Sequence, residues 1–248
     1  MILLLIASLL FRLNCFRFSS KGSKRSSHSN AYFYGFFNFK RIVLFDTLLS
    51  ESERLKIKTE EDKKKEEEKE ETEEEKKKKA EAAKKGCSTP EILAVLGHEL
   101  GHWKLNHVLK NIVISEAHLF CMFAFFGYLY KSSLLYQAFG FAAGETPALI
   151  GLMIIMQFVA APYNAVLDFA MTCLSRRFEF QADAFAVGLG RAEQLKTALI
   201  KLNNDNLGFP VFDWLYSAFH HSHPPLLERM EALDVQEAAR VKGEKKDN

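Results

Sequence analysis

Hydrophobic residues in this chain fall into runs of three kinds, and the runs predict its elements before any chemistry is considered. Two short aromatic and β-branched runs, residues 31–37 and 41–46, are joined by a brief polar connection and predict a β-hairpin. Ile92, Leu93, Val95, Leu96 and Leu100 recur at helical spacing among polar neighbours, which predicts a helix with a buried face. Two longer apolar stretches follow, at about residues 108–130, with Glu116 and His118 inside, and about 148–174, with Asp168 as the only charge. Each is long enough to span a hydrocarbon layer of about 30 Å. Their polar residues and Pro162 leave a second reading, two buried helices of a large soluble core. Helical periodicity continues to about Asn204. An Asn- and Gly-rich turn, an aromatic segment at 209–216 and a proline-opened amphipathic helix reaching about Ala239 complete the chain.

The remaining segments are polar or short. Residues 1–11 are apolar apart from Ser8, too few to cross a bilayer, and their basic residues come after them, unlike a secretory signal. Residues 51–85 are a run of Lys and Glu with helix propensity but no apolar stripe or a/d seam, which reads as an inserted solvated loop. The chain therefore divides into an atypical apolar segment (1–22), a hairpin region (23–50), a charged loop (51–86) and a helical region (87–248) carrying both long stretches.

Composition sharpens this picture. The net charge of +2 over 248 residues argues against a nucleic-acid partner, and charged and apolar residues are segregated as in a membrane protein with polar loops. Cys15, Cys87, Cys121 and Cys173 lie far apart with no Cys-x-x-Cys pairing, so neither a thiolate metal site nor a disulfide framework is expected.

The chemistry sits at residues 96–107. His98 and His102 are four apart, so on a helix both imidazoles reach one metal ion from one face, and Glu99 is placed to exchange a proton with water beside it. This is the His-Glu-x-x-His signature of zinc proteases. The third ligand of the metzincin pattern is absent, since Val108 occupies its position and Leu105 replaces the glycine. A third ligand must come from elsewhere, and Glu179 is the candidate, with Asp183 one turn on to orient a liganding imidazole. The other reading of that acidic pair is an answer to Arg176 and Arg177 at a membrane edge. Two crossings between His102 and Glu179 would return the glutamate to the side of the histidines. In the tail, His220, His221 and His223 form a cluster of the kind usually found on surfaces. A histidine there can also donate to an oxyanion, and Arg229 can hold a supporting carboxylate or a substrate carbonyl.

Residues 24–37, 41–49, 93–107, 174–186 and 199–229 together resemble the C-terminal half of the CAAX prenyl protease type 1 family, integral-membrane zinc metallopeptidases of the gluzincin group. The resemblance implies a mainly α, integral-membrane helical zinc metallopeptidase with a small β-hairpin, lacking the N-terminal membrane helices of the family. It implies one Zn2+ ion held by His98, His102 and Glu179, with Glu99 as general base and Asp183 behind the ligands. Asn30 and Ala31 match the position where the family holds the substrate backbone, and His223 and Arg229 match positions near the reacting carbonyl. The expected partners are prenylated protein tails and membrane lipid, with removal of the last three residues and, in some members, a second upstream cut. The expected location is the endoplasmic reticulum membrane, extending to the inner nuclear membrane. The rivals are a quality-control membrane zinc protease and a non-catalytic fragment that binds prenylated tails.

Overall fold

The computed structural model describes residues 16–21, 31–36, 39–45, 48, 86–209 and 211–245. Strands β1 (Phe16–Lys21), β2 (Ala31–Phe36) and β3 (Phe39–Phe45) form a sheet in the order β1-β3-β2. β2 and β3 are antiparallel with Phe36 opposite Phe39, the hairpin expected from the two aromatic runs. β1 adds to β3 in parallel, a strand the hydrophobic pattern did not mark. The charged run, the segment 1–11 and Asn30 lie outside the described residues. The backbone N–H of Cys87 donates to the carbonyl of Leu48 at 2.7 Å, which joins the chain directly across that run.

The helices fall in two units. The first holds the sheet, α1 (Thr89–Lys104), the last residues of a long helix α5 (Ala161–Gly188), α6 (Ala192–Asp205) and α8 (Leu226–Glu244). Pro90 in the first turn costs α1 no hydrogen bond, because that N–H has no partner within a helix. Ile92, Val95 and Leu100 of α1 pack with Leu195 and Leu199 of α6 and Leu233 of α8 in the core of this unit. β2 lies against α1. Asn106 ends α1 in the left-handed conformation at φ 56, which asparagine tolerates, so His107 begins the next helix and does not extend the motif helix.

The second unit holds α2 (His107–Leu129), α3 (Ser133–Ala138), α4 (Ala148–Ile154) and residues 161–178 of α5, with α7 (Trp214–His220). α2 coincides with the first apolar stretch and is long and apolar enough to cross a membrane. The second stretch is not one straight helix. α4 passes into a π-helical turn at Ile155–Val159, and the chain bends by 56° before α5. Pro162 has no N–H to return to the preceding turn, and the N–H of Ala160 bonds to Ile155 five residues back at 2.8 Å. The helix expected to run unbroken to Asn204 also stops, at Gly190, whose φ of +71 suits glycine at a helix C-terminus.

Candidate metal centre

The motif helix and the end of α5 meet through small residues. A Cβ on Gly101 would lie 2.9 Å from the Cα of Ala182 and 2.9 Å from the Cβ of Phe185, so α1 and α5 touch backbone to backbone there. Gly97, one turn earlier, faces Ala186. That approach brings Glu179 of α5 onto the face of α1 that carries the histidines.

Three side chains converge. His98 Nε2 and His102 Nε2 are 3.1 Å apart, and the Glu179 carboxylate lies 3.5 Å from the first through Oε2 and 3.4 Å from the second through Oε1. Donors at the usual zinc distances on a tetrahedral ion stand about 3.4 Å from one another. The cluster therefore has the spacing a single ion requires, and all three residues can offer it an atom within a 4.8 Å group. Its donor set, two imidazole nitrogens and a carboxylate oxygen, suits a borderline cation such as zinc.

The support behind the ligands is buried. Asp183 is fully enclosed, and its Oδ1 accepts from His98 Nδ1 at 2.8 Å, which leaves Nε2 to face the cluster. Arg229, in the first turn of α8, donates through Nε to Asp183 Oδ2 at 2.9 Å and through Nη2 to Oδ1 at 2.6 Å. Of the two roles open to an arginine in the tail, holding a supporting carboxylate is the one the coordinates display. Burial opposes charge on His98, but hydrogen bonds donated by its ring to Asp183 and Glu179 outweigh it and lift the imidazole to about 9. Burial, together with the charge of Glu179, pushes the Glu99 carboxyl up against the lowering influence of His98 and His102. Glu99 is therefore within the electrostatic field of the cluster.

Ala31 opens β2, and His223 is exposed in the turn between α7 and α8, in the second unit. The sequence offered a supporting carboxylate as one partner for Arg229 without naming Asp183, and it missed the close helix approach. That approach left a legible trace, Gly97 and Gly101 four apart on one helix and Ala182 and Ala186 four apart on the other.

A histidine pair one turn apart, completed by a carboxylate from another helix, defines the class of helical metallopeptidases. The chain belongs to peptidase family M48, whose model matches residues 3–237. It is 60% identical over 215 residues to the CAAX prenyl protease 1 homolog of Homo sapiens, covering 86% of this chain and 45% of that protein. It is 38% identical over 227 residues to the CAAX prenyl protease 1 of Saccharomyces cerevisiae, covering 86% of this chain and 42% of that protein. The crystal structure of S. mikatae Ste24p superposes with a TM-score of 0.67 at 37% identity, over 92% of this chain and 48% of that one. The chain thus spans less than half the length of these relatives.

Proposed function

We propose that this chain carries the catalytic site of a zinc-dependent membrane endopeptidase that removes the last three residues of prenylated CAAX proteins, with a second upstream cut on some substrates. The observation that carries the reading is the convergence of His98, His102 and Glu179 within 4.8 Å, with Glu99 on the same helix. The names of the relatives supply the substrate class. A zinc ion held by the three ligands would polarise the scissile carbonyl and make the attacking water more acidic. Glu99 takes a proton from that water and returns it to the leaving amine, a two-way task that a carboxyl raised by burial performs well.

The other assignments follow from this reading. Asn30 and Ala31 hold the substrate backbone in extended form, supported by the place of β2 at one edge of the described sheet and against α1. His223 donates to the oxyanion of the tetrahedral intermediate. The prenyl group and membrane lipid are the apolar partners, consistent with the length and apolar surface of α2, and no nucleic acid is involved. The location is the endoplasmic reticulum membrane and the inner nuclear membrane, with more than one crossing.

The test is Glu99→Gln in the purified chain, assayed on a farnesylated CAAX peptide. Turnover should fall ~10²–10⁴-fold while the zinc content measured by atomic absorption is unchanged. Retained hydrolysis would remove Glu99 from this role. Cleavage of a misfolded membrane protein but not of the farnesylated peptide would favour the quality-control protease. Tail binding without any chelator-sensitive cleavage would favour the non-catalytic fragment.

A further inference from the structure

We propose that Arg229 serves the metal centre as a positioning residue, locking Asp183 and through it His98, and that it does not act on the substrate carbonyl. This rests on the metallopeptidase reading above and assigns one of its residues a different part.

The geometry commits the guanidinium. Its Nε and Nη2 grip both oxygens of Asp183, at 2.9 and 2.6 Å, in the planar two-point contact that only arginine makes. Its remaining terminal nitrogen, Nη1, lies 3.7 Å from Glu179 Oε2. Two of its three nitrogens thus donate to Asp183, the third stands within ion-pair distance of Glu179, and Nη2 is also 3.3 Å from His98 Nδ1. The side chain is 12% exposed, and Asp183 is wholly buried. A guanidinium drawn off to a substrate carbonyl would leave a buried carboxylate without its counter-charge, a costly exchange.

The consequence runs through one atom. Asp183 Oδ1 accepts at once from Arg229 Nη2 and from His98 Nδ1, so the position of that oxygen is set from both sides. A carboxylate held at one oxygen only would turn about its last torsion, a broad and soft one. With both oxygens fixed the torsion is locked, and so is the hydrogen bond that keeps the His98 ring turned with Nε2 towards His102 and Glu179. Supporting contacts of this kind govern how tightly a metal is held.

Zinc retention measured by competition with a chromogenic chelator, in the full chain in detergent, is the direct readout. Arg229→Gln should release zinc at ~10–100-fold lower chelator concentration than the unaltered chain. Arg229→Lys, which keeps the charge but loses the two-point grip, should fall between them and should fold where the glutamine variant does not. In cobalt-loaded protein both variants should shift the visible ligand-field bands, a signature that loss of a remote structural contact would not give. Asp183→Asn should weaken retention similarly, and adding Arg229→Gln to it should cost little more, because both act through one link. The proposal is overturned if both Arg229 variants hold zinc as the unaltered chain does while KM for the farnesylated peptide rises, since that result puts the arginine on the substrate. Failure of the underlying reading looks different: His98→Ala would then leave zinc content unchanged.

Discussion

Glu91 holds the start of the motif helix with one oxygen. Its Oε2 accepts from the backbone N–H of Ser88 at 2.7 Å and from the Ser88 hydroxyl at 2.9 Å, and it pairs with Lys201 Nζ at 2.7 Å. The contact ties the N-terminus of α1 to α6 and closes one of the backbone N–H groups a helix start leaves unsatisfied. Burial would raise this carboxyl, but the bonds from Lys201 and Ser88 prevail and hold it below its ordinary value of 4.5. The ionised form is therefore the one the folded state favours. Its stabilisation is present in full above the ordinary value and is lost as pH falls through the lowered one. Glu91→Gln keeps an acceptor for Ser88 and loses the charge, so it should cost about 1 kcal/mol at neutral pH. Thermal unfolding midpoints of the two proteins should converge in acid, and a gap that does not narrow as pH falls below 4.5 would show that the charge is not its source. Next to it, burial and then Glu91 push the Cys87 thiol up to about 12, so this cysteine acts as packing. Much of the site was readable at this scale, because histidine spacing and an acid beside it are local facts of sequence. The partnership of Arg229 with Asp183, 46 residues apart, was not, since no local pattern says which buried carboxylate a distant arginine will take.

Between elements, the decisive contact is the approach of α1 to α5. Ligands borne on two helices meet only if the helices do, and glycine at 101 permits a distance that no side chain allows. Gly101→Ala would place its methyl 2.9 Å from the Cα of Ala182, which is backbone and cannot turn aside. The helices must part, so the variant should lose about 1–3 kcal/mol of stability, the usual cost of overpacking, and bind zinc more weakly. Gly97→Ala meets only the end of Leu189 at 3.2 Å, a flexible tip, and should be much milder. Chelator competition on the pair checks this: equal zinc retention in both variants would contradict the close-approach account. The same scale shows why some elements were read well and others poorly. α1 carries a helical period and α2 a continuous apolar run, and both follow the sequence closely. The second apolar stretch has uniform hydrophobicity, so nothing but Pro162 hinted that a π-turn and a 56° bend lie within it. β1 pairs with a strand 24 positions further on in register, Phe16 with Lys40, and such non-local pairing leaves little mark on either segment.

At the scale of the molecule, the metal cluster constrains the path of the chain through a membrane. His102 and Glu179 carry donors in one 4.8 Å group, so both lie on the same face of any bilayer the intervening chain enters. α2 alone, as a crossing, would put them on opposite faces. If α2 crosses, the bent pair of α4 with its π-turn and α5, which by length and composition fits either a broken span or a re-entrant loop, is expected to be the returning span. A re-entrant loop would bring the chain back to the wrong side. Exposed apolar side chains on both segments, Phe120 and Tyr128 on α2 and Val166 on α5, agree with lipid contact for each. The connection at residues 131–147, with Lys131 and Glu145, is expected on the face opposite to α1 and α6. Single cysteines introduced at Lys131 and at Glu193, in a chain whose Cys15, Cys87, Cys121 and Cys173 are replaced by serine, allow a direct check. In sealed microsomes an impermeant maleimide should label one of the two positions and spare the other until the membrane is opened with detergent. Labelling of both before detergent would mean that the bent pair does not cross, and α2 could then not be a full crossing either, because the three metal ligands would otherwise be held apart by the bilayer.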